Sequence, residues 1–156
     1  MTMEQILADI RSDRVKKVIH DADMGMEMDD QYALAFCIGS DKLELLSANA
    51  STFGKGPNGD YSWGMEASYQ EICKVLDVCG KTGVYPAYRG ATRPMGYDNP
   101  IDSEAVQNII RASHENDEII YVLTTGCASN VASAFYLDPT IKRNTVVIWL
   151  GGTNLE

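Results

Sequence analysis

From residue 21 to residue 30 the sequence reads DADMGMEMDD, which sets Asp21, Asp23, Asp29 and Asp30 around one glycine turn. Carboxylates held a few ångström apart repel one another and keep their protons tightly unless a cation neutralises them. A hard, oxygen-seeking ion such as Ca2+, with roughly six to eight oxygen ligands, is the economical partner for such a cluster. A helix cap or a solvated strand end accounts for a single aspartate but not for the group. An EF-hand is excluded by spacing, because the bidentate glutamate that closes its loop would fall on Tyr32.

The elements around the cluster decide where its side chains converge. Val15–Ala22 reads as a first strand and Asp30–Gly39 (DQYALAFCIG) as the helix after it. Asp21 and Asp23 then sit at a strand end, while Asp29 and Asp30 open a helix whose dipole favours negative charge. Leu43–Ala50, Val84–Arg89, Glu118–Thr124 and Thr145–Leu150 read as further strands. Met65–Cys79 is an amphipathic helix stopped by Gly80, another begins at Asp102 or Ser103, and a short one runs through Asn130–Leu137. This alternation predicts an α/β fold: an open, mainly parallel, Rossmann-like sheet of about five strands with helices on both faces. The glycine-rich stretch 51–64 is then a loop on the side where open parallel sheets bind ligands.

A chain of 156 residues, 45% hydrophobic and 22% charged, fits one domain with a buried core. With 13 Lys+Arg against 22 Asp+Glu and a net charge of −9, it lacks the basic stripe that a nucleic-acid partner needs. Cys37, Cys73, Cys79 and Cys127 form no C-x-x-C pair and read as reduced thiols in the cytoplasm. No signal peptide and no membrane span is legible, so a small molecule is the expected partner.

One rival chemistry uses the same residues. Asp21 and Asp23 match the Asp-x-Asp of haloacid-dehalogenase-like phosphatases, in which the first acid is a nucleophile. That pattern wants Thr or Val soon after the second Asp and a later acidic pair for Mg2+, where this chain has Met24-Gly25 and no such pair. It also leaves Asp29 and Asp30 without a role.

Taken with its neighbours, DADMGMEMDDQYALAF resembles the D-x-D-P-G-x-D-D-x-x-A-L signature of inosine-uridine nucleoside hydrolases. LELLSANA is similar to that family's second strand, VYPAYRGATRPM to its P-V-Y-x-G-A-x-x-P-L turn, and LTTGCASNVASAFYLDPTIKRNTVVIWLGG to its L-x-T-G-P-L-T-N segment and the strand ending in Gly-Gly. The resemblance implies Ca2+-dependent hydrolysis of the N-glycosidic bond of ribonucleosides or related ribosyl compounds. It implies that Asp23 and Asp30 ligate Ca2+ by carboxylate, that Thr125 ligates by its backbone carbonyl, that Asp29 meets the ribose hydroxyls and that Asp21 braces the loop. Glycosidic cleavage passes through an oxocarbenium-like sugar, which a carboxylate pocket stabilises, and Asp23 is the candidate general base for the attacking water. Gly126 lets the backbone turn into the site, and Asn130 is expected to cap the following helix.

The chain departs from the family pattern at three points. Met26-Glu27-Met28 lengthens the acidic turn by two residues. The Asn expected after the second strand falls near Phe53-Gly54, leaving Asn49 or Asn58 to meet the substrate. The sequence stops at WLGGTNLE, where the family continues for about as long again with sugar-clamping Asn and Glu, a last Asp ligand and a His near the leaving base. This is the expected N-terminal half, impaired alone, and its last apolar strand predicts a homo-oligomer. Trp63, Trp149, Tyr69, Met24, Met26 and Met28 are candidates for a base pocket, with Trp149 more at home in the core; His20 and His114 read as ordinary structural or surface residues. Two function classes stay open: a ribosyl hydrolase, and a non-catalytic fragment that keeps only the metal loop.

Overall fold

The computed structural model describes residues 1–25 and 27–151. The elements follow in the order α1 (Met3–Arg11), β1 (Lys16–Ala22), α2 (Asp29–Gly39), β2 (Leu43–Ala50), α3 (Ser62–Val78), β3 (Ala87–Tyr88), α4 (Glu104–Glu115), β4 (Ile120–Thr124), α5 (Ser129–Leu137) and β5 (Thr145–Trp149), with a 3-10 turn over Pro139–Arg143. All strands are parallel and lie in the order β3-β2-β1-β4-β5. The central strand β1 therefore carries the acidic turn at its carboxyl end, flanked by the ends of β2 and β4.

Alternation along β1 divides the core into two layers. Val18 and Ala22 pack with Leu34 and Cys37 of α2 and with Met65, Ile72 and Leu76 of α3. Ile19 points the other way, into Val106, Ile109 and Ala112 of α4 and Val131 and Ala134 of α5. Helices thus cover both faces, as the alternating pattern predicts. One irregularity shifts the phase of β2: Val18 pairs with Leu45 but Ile19 pairs with Ser47, so Leu46 is an extra residue at a bulge. Leu46 and Ser47 consequently both serve the α4 side.

One expectation about the strands is corrected. The third strand keeps only Ala87 and Tyr88, because Val84 closes a turn onto Lys81 and is 60% exposed, while Pro86 adds only a carbonyl, accepting from the amide of Ala48. The N-terminal helix α1 adds to the elements read from the sequence: Thr2 and Gln5 form a reciprocal capping box, and Met3, Ile6, Leu7 and Ile10 recur at helical spacing. Asp9 anchors α1 to the sheet, accepting from Arg14 at 2.7 and 2.8 Å and from the Tyr121 hydroxyl at 2.6 Å. No helix among the described residues is long and apolar enough to cross a membrane, and the four cysteines are free thiols.

Candidate active site

Asp23 follows the last residue of β1 and is half-buried, and Asp30 lies in the first turn of α2 with 4% of its surface exposed. Thr125 follows β4, and its amide donates to the Asp21 carbonyl at 3.0 Å while its hydroxyl donates to Asp30 Oδ1. Asp23, Asp29, Asp30, Glu27, Phe53 and Thr125 line one cleft of about 250 Å³, and none of these side chains is basic. Burial and then repulsion from Asp30 push the Asp23 carboxyl up to about 6. Asp30 is raised as well, chiefly by burial, against the lowering effect of the Thr125 hydroxyl. Both groups gain if positive charge enters the cleft.

Small residues permit this approach. A Cβ on Gly126 would lie 2.5 Å from Asp23 Cγ, so only glycine lets the loop after β4 pass so close to the acid. Gly25 takes a positive φ of 122° beneath the Phe53 ring, which seats the acidic turn on the loop after β2.

Asp21 stands behind the cleft rather than in it. It is fully buried, its Oδ1 accepts from Asn130 Nδ2 at 2.8 Å, and burial pushes its carboxyl up to about 7. A nucleophile must reach its substrate, so this placement counts against the phosphatase chemistry, which assigns that role to Asp21. Asn130 is not a cap: the N-cap position belongs to Ala128, and the Asn130 amide turns inward to the strand ends.

The structure does not bring Asn49 into the cleft. The bulge in β2 turns it toward α4, where it is fully buried, accepting from Asn108 at 3.2 Å and donating to the Ala105 carbonyl at 3.5 Å. Asn58 lies on the exposed part of the loop and lines neither cleft. His20 is buried without a partner, and His114 pairs with Asp138 at 2.7 Å away from the site.

A second cleft, of about 400 Å³, shares Asp23, Phe53 and Thr125 with the first and continues over Tyr61, Pro94 and Trp149. Trp149 corrects the expectation of a core residue. It ends the edge strand, is 53% exposed, and its indole N–H donates to the Gly126 carbonyl at 3.0 Å. Phe53 meets Trp63 edge-on with ring centres 5.4 Å apart. Tyr69 lies elsewhere, beneath the Arg89 guanidinium, while Met24 is core and Met28 is surface. Met26 lies outside the described residues.

Residues 18–156 match the family of inosine-uridine preferring nucleoside hydrolases. The chain belongs to that family. No curated protein matches it by sequence. The nucleoside hydrolase fold recurs in solved structures: a plant nucleoside hydrolase at 22% identity and TM-score 0.70, covering 89% of this chain and 48% of that one; and a purine-preferring ribonucleoside hydrolase from Gardnerella vaginalis at 22% identity and TM-score 0.68, covering 88% and 49%. An inosine-uridine preferring nucleoside hydrolase from Bacillus anthracis aligns at 22% identity and TM-score 0.56 over 88% of this chain and 51% of its own. The chain spans about half the length of these solved nucleoside hydrolases. Helix α1 precedes the matched region.

Proposed function

We propose that this chain carries the metal and sugar side of an N-glycosidase that hydrolyses ribonucleosides or related ribosyl compounds. The observation that carries the reading is the pair Asp23 and Asp30, two raised carboxyls on one cleft lined by no basic side chain. The donors fit a hard divalent cation in kind: the two carboxylates and the Thr125 carbonyl are all oxygen ligands. They do not complete a coordination sphere. Among the described residues no group of three or more His, Cys, Asp or Glu side chains is arranged to hold a metal ion. Asp23, Asp30 and Thr125 would hold Ca2+, which when bound supplies charge to acidify a nearby water.

The remaining roles belong to the chain's own residues. Asp23, on the wall shared by both clefts, accepts a proton from the attacking water as the general base. Asp29, exposed on the cleft wall, accepts hydrogen bonds from ribose hydroxyls. The carboxylates stabilise positive charge developing on the sugar. Trp149 and Phe53 offer flat apolar surface to the base.

Ribose release from inosine and uridine, measured with and without Ca2+ on a version extended to the length of the solved nucleoside hydrolases, tests the reading, and the 156-residue chain alone should release little. Ca2+-dependent release that Asp23→Ala abolishes is the expected result. Hydrolysis of p-nitrophenyl phosphate with Mg2+, and of no ribosyl compound, would overturn it.

A further inference from the structure

Three strand ends are tied to one buried side chain at the rear of the cleft. Asn130 lies in the first turn of α5, which follows β4, and is fully buried. Its amide donates to Asp21 Oδ1 at 2.8 Å and to the Ala50 carbonyl at 2.9 Å, and its Oδ1 accepts from the Ala91 amide at 2.7 Å. Those three partners stand at the end of β1, at the end of β2 and just beyond β3. A Cβ on Gly90 would lie 1.9 Å from the Ala50 carbonyl oxygen and 2.5 Å from Asn130 Nδ2, so the chain beyond β3 is pressed against the same amide.

Among the described residues nothing else offsets the buried Asp21 carboxyl. Its Oδ2 has no partner, and neither does the hydroxyl of Thr124, its register neighbour on β4. The backbone of Asp21 in turn holds Thr125 through the 3.0 Å bond to its amide. Asn130 therefore reaches both sides of the cleft, through Asp21 to the strand that delivers Asp23 and through Asp21 again to the loop that delivers Thr125.

We infer that Asn130 is a positioning residue, whose amide sets the separation between Asp23 and the Thr125 carbonyl and so tunes the affinity of the cleft for a hard cation. Its link to a cation rests on the function proposed above; its hold on the strand ends does not. A buried amide at the other end of the sheet separates positioning from plain stability. Asn144, 4% exposed, donates to the carbonyls of Ser113, Asn116 and Glu118 and accepts from the Ser113 hydroxyl.

Three variants are compared at a temperature where each is folded by circular dichroism: Asn130→Ala, the near-isosteric Asn130→Leu, which loses the acceptor and both donated bonds without adding charge, and Asn144→Ala. Amide hydrogen exchange is the first readout and needs no metal. Both Asn130 variants should speed exchange at Ala91 and Thr125 and spare Ile120, whose amide is bonded to the Asn144 carbonyl. Tb3+ affinity, read by sensitised emission, is the second. Asn130→Leu should weaken it by about tenfold or more, as outer-shell changes at metal sites do, and Asn144→Ala should leave it within about twofold. Unchanged exchange at Ala91 and Thr125 in Asn130→Leu overturns the inference, as does equal weakening of Tb3+ by the Asn130 and Asn144 variants. If the parent protein takes up no Tb3+ or Ca2+ while exchange responds as described, the strand-end role stands and the cation reading of the cleft falls.

Discussion

The hydroxyl of Thr125 donates to Asp30 Oδ1, joining the loop after β4 to the first turn of α2 across 95 residues of sequence. One oxygen of Asp30 is thereby oriented and the other left to the cleft. A single residue thus serves twice, its side chain aiming a carboxylate and its carbonyl available as a ligand.

Ca2+ binding should separate these two contributions. Asp30→Asn removes a charged ligand and is expected to weaken Ca2+ binding by about tenfold or more, whereas Thr125→Val keeps the carbonyl and loses only the hydroxyl, for a loss of about threefold to tenfold. Calorimetric titration of the parent and both variants gives the comparison; identical Ca2+ isotherms for the parent and Asp30→Asn would remove Asp30 from the site.

Gly126→Ala places a methyl group where Asp23 Cγ lies 2.5 Å away. The carboxylate must move, so cation affinity should fall by at least about tenfold while the melting temperature changes little, because half-exposed Asp23 has room to turn. Parallel melting curves and Ca2+ titrations check this, and unaltered affinity would show that Asp23 is not a ligand.

Trp149→Ala should weaken inosine or uridine binding by about tenfold, the scale of a lost aromatic–base stack, and leave the binding of free ribose unchanged. Equilibrium binding of nucleoside and ribose side by side makes the test. Equal loss for both would place Trp149 in the scaffold of the loop at Gly126 rather than against the base.

Burial pushes His20 down from 6.5 to about 4, and its ring nitrogens have no partner. Below pH 6.5 the unfolded chain takes up a proton that the folded chain refuses, so this group costs stability as pH falls toward 4 and nothing above 6.5. Against the parent, His20→Leu should therefore gain about 3 kcal/mol between those pH values. Denaturant unfolding at about pH 7.5, 5.5 and 4.5, expressed as the difference between variant and parent, reads it directly. A difference independent of pH would mean that His20 finds a proton acceptor when charged.

The acidic turn was legible because its density of carboxylates has no local explanation, and the strands because their β-branched runs are bounded by turns. The bracing of Asp21 was legible only as a family resemblance, and its partner Asn130 is 109 residues away. Reading Asn130 as a cap followed from its place at a helix start; its actual role depends on which strands lie side by side. The place of Trp149 is hidden for a similar reason, since a strand end is core or cleft wall according to its position in the sheet order. Helix α1 does carry a legible signal, since both halves of its capping box, Thr2 and Gln5, stand in the first five residues.

The extra residue at Leu46 has a consequence for comparing this chain with other proteins. Strands lined up by their alternation alone would be out of step by one beyond Val18, and every side chain after that point would be credited to the opposite layer. Asn49 would then seem to look toward α3. A correspondence for the end of β2 holds only when it is anchored on the rungs Ile19–Ser47 and Asp21–Asn49 rather than on hydrophobic rhythm.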